Sequence, residues 1–171
     1  PYPKTIFSTG GRPITGPPVF DPKNGSTTDA PDTQTVTFSF ESFTAIWEHR
    51  KYAGSPQENH RIGAYFYGSE GVFHMGWRDG WTFYPRQSSQ SPVHQEPSFD
   101  HEQDGHNLTL LWRDFMDAVD HGKQPVAGME SSHRSSVLPM LGMISYRLGR
   151  SLQWDGSRET ILGDPEALSL M

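Results

Sequence analysis

The chain has 171 residues, a formal charge of −6 and no cysteine, so it holds no disulfide, no thiol nucleophile and no cysteine-ligated zinc. No basic run is present to meet a nucleic-acid backbone, and no apolar stretch approaches the roughly 20 residues that span a bilayer. With 10 Phe, 6 Tyr and 5 Trp but only 33% hydrophobic residues, beside 17 Gly and 14 Pro, the composition is that of one domain whose core is wrapped in turn-rich connections.

Thr5 to Thr9 predicts a short first strand, ended by Gly10-Gly11-Arg12. The stretch that follows, RPITGPPVFDPKNGSTTDAPD, is dense in Pro, Gly, Asn and Asp. A loop of that length in a compact domain is either functional or wraps an edge. Thr33 to Arg50, TQTVTFSFESFTAIWEHR, then predicts two strands joined by a tight turn at Glu41-Ser42. With that turn Phe40 faces Phe43, Phe38 faces Ala45 and Val36 faces Trp47, all on one side of the ribbon, because successive strand side chains alternate. The other side carries Thr35, Thr37, Ser39, Thr44 and Glu48, with Ile46 its large apolar exception. Such a ribbon covers a core with one face and offers the other to water, a ligand or a partner.

Lys51 to Asn59 reads as a loop. His60–Tyr67, Val72–Trp77 and Trp81–Tyr84 read as short strands, with turns at Gly68-Ser69-Glu70-Gly71 and Arg78-Asp79-Gly80. Gln87 to Gly105 breaks the alternation and is expected to be a mobile polar loop. Leu108, Leu111, Trp112, Phe115, Met116 and Val119 then recur at helical spacing, with Asn107 as N-cap and Gly122 as the residue after the end. A second helix is expected from about Glu130 to Leu148, striped by Val137, Leu138, Leu141, Ile144 and Leu148 and stopped by Gly149. Pro139 should kink it or mark its true first turn. Asp164-Pro165-Glu166 opens a third. Strands first and helices after predict an α+β class: an open-faced, mainly antiparallel sheet with helices packed on one face. Residues 1–171 read as a single domain, with long loops near 10–32 and 86–105.

Several residues could carry chemistry. His94, His101 and His106 stand among Glu96, Asp100, Glu102 and Asp104. These are groups that bind divalent ions, but their spacing matches no rigid ligand pattern, so no metal site is assigned and the segment reads as a solvated acidic loop. Asp117 and His121, four apart on the first helix, form either an acid–base pair or a surface pair with His121 at the positive-preferring C-terminus. Trp47-Glu48-His49-Arg50 offers a ring platform, a carboxylate, an imidazole and a guanidinium, the groups that stack on sugar rings and bond their hydroxyls. Alternation puts Glu48 and Arg50 on the polar face and Trp47 and His49 on the apolar one. The stretch is therefore either a core Trp with a surface ion pair or part of a binding site, and Arg12 could reach the same surface. The glycine motifs GxGxxG and GxxxxGKS are absent.

The C-terminal stretches DAVDHGKQP, GMESSHRSS, SYRLGR, LQWD and LGDPEA, preceded by YPKTIFSTGGR, PDTQTVTFSF, TAIWEHR and FYGSEGVF, resemble in order the closing domain of the Gfo/Idh/MocA oxidoreductases. This is the glucose–fructose oxidoreductase and inositol dehydrogenase family, and the likeness is to its planctomycete-like branch. The resemblance implies an open sheet backed by helices that lines a substrate site and builds an oligomer through its exposed face. It also implies an N-terminal NAD(P)-binding domain and a Glu-Lys-Pro lysine, neither of which this sequence contains.

The expectation is thus a substrate-binding and assembly domain of an NAD(P)-dependent oxidoreductase acting on a sugar or cyclitol. It would be a piece of a longer bacterial enzyme, soluble and either cytoplasmic or exported, and not catalytically complete alone. Arg12, Trp47, Glu48, His49 and Arg50 are the candidate substrate-binding residues. No catalytic, cofactor-binding or metal-binding residue is assigned. The expected partners are a sugar-like small molecule and a second copy of the chain, with no nucleic acid and no membrane. The alternatives are a freestanding carbohydrate-binding or self-association module and, more remotely, a metal-dependent hydrolase using the histidine-rich loop.

Overall fold

The computed structural model describes residues 1–21, 23, 27–51, 62–76, 79–98 and 104–171, with the backbone alone for 104–106. The class is α+β, with two antiparallel sheets and three helices. The chain divides into one unit of Pro1–Ala53 with Met129–Met171 and a second of Gly54–Gly128.

The first unit is a five-stranded antiparallel sheet. Its strands are β1 (Thr5–Gly11), β2 (Thr33–Ser39), β3 (Thr44–Arg50), β8 (Leu152–Asp155) and β9 (Thr160–Ile161), in the order β3-β2-β1-β8-β9. The hairpin register is the one its sequence predicts: Val36 opposite Trp47 and Phe38 opposite Ala45, with the Phe40 and Phe43 rings stacked 4.3 Å apart beside the turn. The strands β8 and β9 were not foreseen. They return to the sheet after the helices and lengthen it on the β1 side.

Helix α2 (Met129–Leu148) crosses one face. Leu141 and Ile144 from the helix bury against Ile6, Val36, Phe38, Leu152 and Trp154, and Val137, Leu138 and Leu148 flank this core. Pro139 lies well inside the helix, so it does not mark the first turn. At Gly142 an added Cβ would stand 3.2 and 3.3 Å from the two γ carbons of Val36. The absence of a side chain there lets the helix backbone lie against β2.

A buried polar seam runs through the same contact. β8 pairs with β1 only at Thr5 and Ile6, so the Ser8 N–H further along that edge has no strand to bond. Ser145 Oγ accepts it at 2.9 Å and itself donates to the Arg150 carbonyl at 2.8 Å. Gln34 Nε2 donates to Ser8 Oγ at 2.8 Å and to the Gly142 carbonyl at 3.4 Å. Ser8, Gln34 and Ser145 are 2%, 5% and 0% exposed, so each hydrogen bond replaces water that cannot enter.

The helix ends follow their sequence signals. Gly149 takes the left-handed conformation that closes α2, with φ 65°. Asp164 caps α3 (Pro165–Leu168) by accepting from the Ala167 N–H at 3.0 Å. Arg150 grips the same carboxylate through Nε and Nη2, both at 2.9 Å. That guanidinium, with the Ala167 N–H, holds the Asp164 carboxyl at about 2.

The second unit is a four-stranded antiparallel sheet, β4 (Gly63–Tyr67), β5 (Gly71–Gly76), β6 (Trp81–Pro85) and β7 (Val93–Gln95), with α1 (Asp104–His121). Two expectations are corrected here. The polar stretch 87–105 contains strand β7, because Val93–Gln95 finds a partner along β6. Helix α1 begins at Asp104, which places Asn107 inside it and not at its N-cap. Gly122 does follow its end, with φ 63°. The apolar stripe of α1, including Leu111, Trp112 and Phe115, is exposed. Within the first unit the hairpin's apolar face is covered by α2. His60, Arg61, Trp77 and Arg78 lie outside the described residues.

Ser145→Ala should lower stability by about 1–3 kcal/mol, because it strands the Ser8 N–H and the Arg150 carbonyl in the interior. Chemical denaturation reads this directly, and an unchanged midpoint would remove the seam from the account. Leu141→Ala, at a site 1% exposed, should cost about 2–5 kcal/mol.

Candidate functional site

With α2 on one face of the five-stranded sheet, the opposite face is the surface the fold leaves open. Cross-strand register arranges it in rows: Thr5-Ser39-Thr44, Phe7-Thr37-Ile46, Thr9-Thr35-Glu48 and Gly11-Thr33-Arg50. Gln153 extends the first row, opposite Thr5. Hydroxyls dominate, but Phe7 and Ile46 share one row at 41% and 68% exposure. Phe7 escaped notice in the sequence. The signal was there, in the adjacent pair Ile6-Phe7, where one of two neighbouring apolar residues must face away from the core.

Glu48 and Arg50 sit together on this face, with Arg50 Nε 3.1 Å from Glu48 Oε1. Both are half-exposed, so the pair contributes little to stability and its groups remain within reach of a ligand. Trp47 and His49 project to the other face, as alternation requires. The expectation that Trp47 joins the core is corrected. It is 48% exposed, because β3 is the edge of the sheet and the core does not extend that far. Its ring lies 5.0 Å from that of His49. His49 Nε2 donates to the Pro31 carbonyl at 3.2 Å, which places the proton on that nitrogen.

Arg12 has a different role from the one its position suggested. Its Nε donates to the Gly16 carbonyl at 2.7 Å and its Nη1 to the Ala30 carbonyl at 2.7 Å and to that of Thr28. It staples the two limbs of the loop between β1 and β2. Asp32 completes the staple: its carboxylate accepts from the N–H groups of Ile14 (3.0 Å) and Thr15 (2.9 Å) and from Thr15 Oγ1 (2.8 Å). Burial alone would raise this carboxyl. The donors of Thr15 and Ile14, with the Arg12 charge, outweigh that and leave it below its ordinary value.

The second sheet carries its own polar row, Tyr65-His74-Thr82-His94, one residue from each strand. Thr82 Oγ1 and His94 Nδ1 are 2.8 Å apart, and His94 Nε2 lies 3.4 Å from Glu96 Oε1. The Tyr65 phenol is pushed up, chiefly by burial and then by Tyr84, Tyr67 and Asp79. His94 is thus part of a strand row. Of the other residues proposed for a metal, Asp100, His101 and Glu102 lie outside the described residues, and only the backbone is described for Asp104 and His106. Among the described residues no three His, Asp or Glu side chains converge as a metal would need. Asp117 and His121 form an exposed pair at 2.9 Å, with Lys123 on the same carboxylate, at the end of α1.

Among the described residues every strand pairing is antiparallel, whereas the strand–glycine turn–helix unit that commonly holds a dinucleotide belongs to a parallel sheet. No protein-family model, curated protein or solved structure matches this chain. Among the described residues no helix is long and apolar enough to cross a membrane.

The Asp32 staple sets a pH dependence. Its folded-state pKa is depressed, so the stability it adds is present above the ordinary carboxylate value of 3.8 and is lost as pH falls through the lower folded value. Asp32→Asn should flatten that acid limb of the melting-temperature profile and increase proteolytic cleavage between Arg12 and Asp32. Equal acid limbs in both proteins would refute it.

Proposed function

We propose that this chain is the substrate-binding and assembly domain of an NAD(P)-dependent oxidoreductase acting on a sugar or cyclitol, and that it does not complete the reaction by itself. The observation that carries the reading is the open face of the five-stranded sheet: rich in hydroxyls, with an apolar row and one charged pair. This agrees with what the sequence resemblance implies of such domains.

The face supports two tasks. Phe7 and Ile46 are apolar area that water covers at a cost, and the flanking threonines tolerate a dry or a wet neighbour, so the centre suits a second copy meeting it face to face. At the β3 margin, Glu48 accepts and Arg50 donates within one small area. That combination fits vicinal hydroxyls, which need a donor and an acceptor side by side. A nicotinamide held elsewhere in such an enzyme would supply the hydride chemistry. The part assigned to this chain is to hold and orient the polyol.

The self-association half of the alternative reading, a freestanding module, rests on the same open face. Two measurements decide. Sedimentation should show concentration-dependent association that Ile46→Glu weakens without lowering the melting temperature. A wild-type chain that stays monomeric would remove the assembly role. Calorimetric titration with inositol or glucose should show weak saturable binding that Arg50→Ala abolishes, and NAD(H) should show none. Micromolar NAD(H) binding by the isolated chain would overturn the assignment.

A further inference from the structure

In the second unit the turn between β4 and β5 and the segment after β6 surround an open cavity of about 360 Å³, lined by Ser69, Glu70, Arg86, Gln87 and Gln90. Backbone hydrogen bonds hold both walls. The Gly68 N–H donates to the Gly71 carbonyl at 2.9 Å, the Arg86 N–H to the Glu70 carbonyl at 2.9 Å and the Gln90 N–H to the Gln87 carbonyl at 3.0 Å. Gly71 takes φ 155°, and an added Cβ there would stand 2.2 Å from the Tyr84 carbonyl oxygen. Glycine at that position is what lets the turn lie so close to β6.

Gly71 pairs with Pro85 at the end of the β5–β6 ladder, and the next pair in that register is Glu70 opposite Arg86. Residues that stand opposite on antiparallel strands project to the same face, where opposite charges attract. Glu48 and Arg50 on the first sheet close to 3.1 Å. Glu70 and Arg86 do not close: among the described residues neither side chain belongs to an ion pair. Among those residues the five lining side chains make one hydrogen bond to protein, a long one from Ser69 Oγ to Glu70 Oε1 at 3.5 Å. A carboxylate and a guanidinium thus face one polar volume without neutralising each other, beside two carboxamides and a hydroxyl.

We propose that this cavity binds a free polar α-amino acid. Arg86 takes the ligand's carboxylate, Glu70 takes its ammonium group, and the carboxamides of Gln87 and Gln90 bond its polar side chain. The charges decide the class. A ligand with one charge matches either Glu70 or Arg86 and lies beside the like charge of the other. A neutral polyol matches neither charge. An α-amino acid carries both on a single carbon, so it fits two opposite charges set side by side across a ladder. The volume lies within the range of about 300–1,000 Å³ typical of small-molecule sites, and the lining holds no large apolar side chain. The site belongs to the second unit and stands independently of the open-face reading.

The test is a titration of the full ¹⁵N-labelled chain, read at the Arg86 side-chain Nε–H resonance, which is identified by its loss in Arg86→Gln. L-glutamine should shift that resonance saturably. Glu70→Gln should weaken the binding at least about tenfold with an unchanged melting temperature, because the side chain removed is exposed. Acetate and propylammonium, each with half of the ligand's charge, should bind at least about tenfold more weakly than glutamine. Acetate binding as tightly as glutamine and indifferent to Glu70→Gln would overturn the proposal, since it would mean an ordinary anion on a surface guanidinium. Glucose binding in place of glutamine, or no saturable shift with glutamine, would overturn it too. None of these results bears on the inositol titration of Arg50, so the two readings fail separately.

Discussion

Ser145 Oγ accepts the Ser8 N–H and donates to the Arg150 carbonyl at the point where β8 stops covering β1. A sheet edge that ends inside a protein leaves an N–H that must be met. Here a helix side chain meets it, so the helix cannot slide or turn without breaking the bond. One turn before Ser145, that same anchorage presses Gly142 onto Val36 and sets how close α2 comes to the sheet. Gln34, bonded both to Ser8 and to the Gly142 carbonyl, links the second strand into the same network. Few of these groups are apolar, yet they decide where the apolar ones land.

Once α2 is held there, the rest of the unit has little freedom. The helix covers one side of the sheet, so the rows on the other side face outward. The surface with functional potential is a consequence of the packing and is not separately built. Edge position then divides the residues of β3. Glu48 and Arg50 are available on the open face, while Trp47 and His49 project toward the α2 side at a margin the helix does not fully cover. Arg12, close by in sequence to the open face, is spent on three carbonyls of its own loop. That use ties the two limbs of the loop together at its base.

The second sheet shows a different balance. Its row of Tyr65, His74, Thr82 and His94 is polar and aromatic across all four strands. The hydroxyl, imidazole and carboxylate of Thr82, His94 and Glu96 bond in sequence, which orients the His94 ring, and among the described residues no third metal-ligating group joins them. A histidine that looked like part of an acidic loop is thereby a structural member of a strand.

Local order was legible from the chain alone. The hairpin register followed from a two-residue turn and the period of two along each strand. The helix ends followed from Gly122, Gly149 and the Asp164-Pro165 cap, because each signal acts over a few residues and needs no distant partner. Period and capping cannot reveal strand order, and everything that depends on strand order was missed. Trp47 has the right phase for the core but sits on the edge strand. Val93–Gln95 has no strong alternation and becomes a strand because β6 offers it a free edge. Leu152–Asp155 returns to pair beside β1. Arg12 and Ser145 took their roles from groups 16 to 18 and 137 positions away. The amino-acid pattern assigns each residue a face and each element its ends. Which residue on that face is covered, exposed or bonded is decided by long-range contacts, because burial and hydrogen-bond partnership belong to pairs that meet only after the chain has folded.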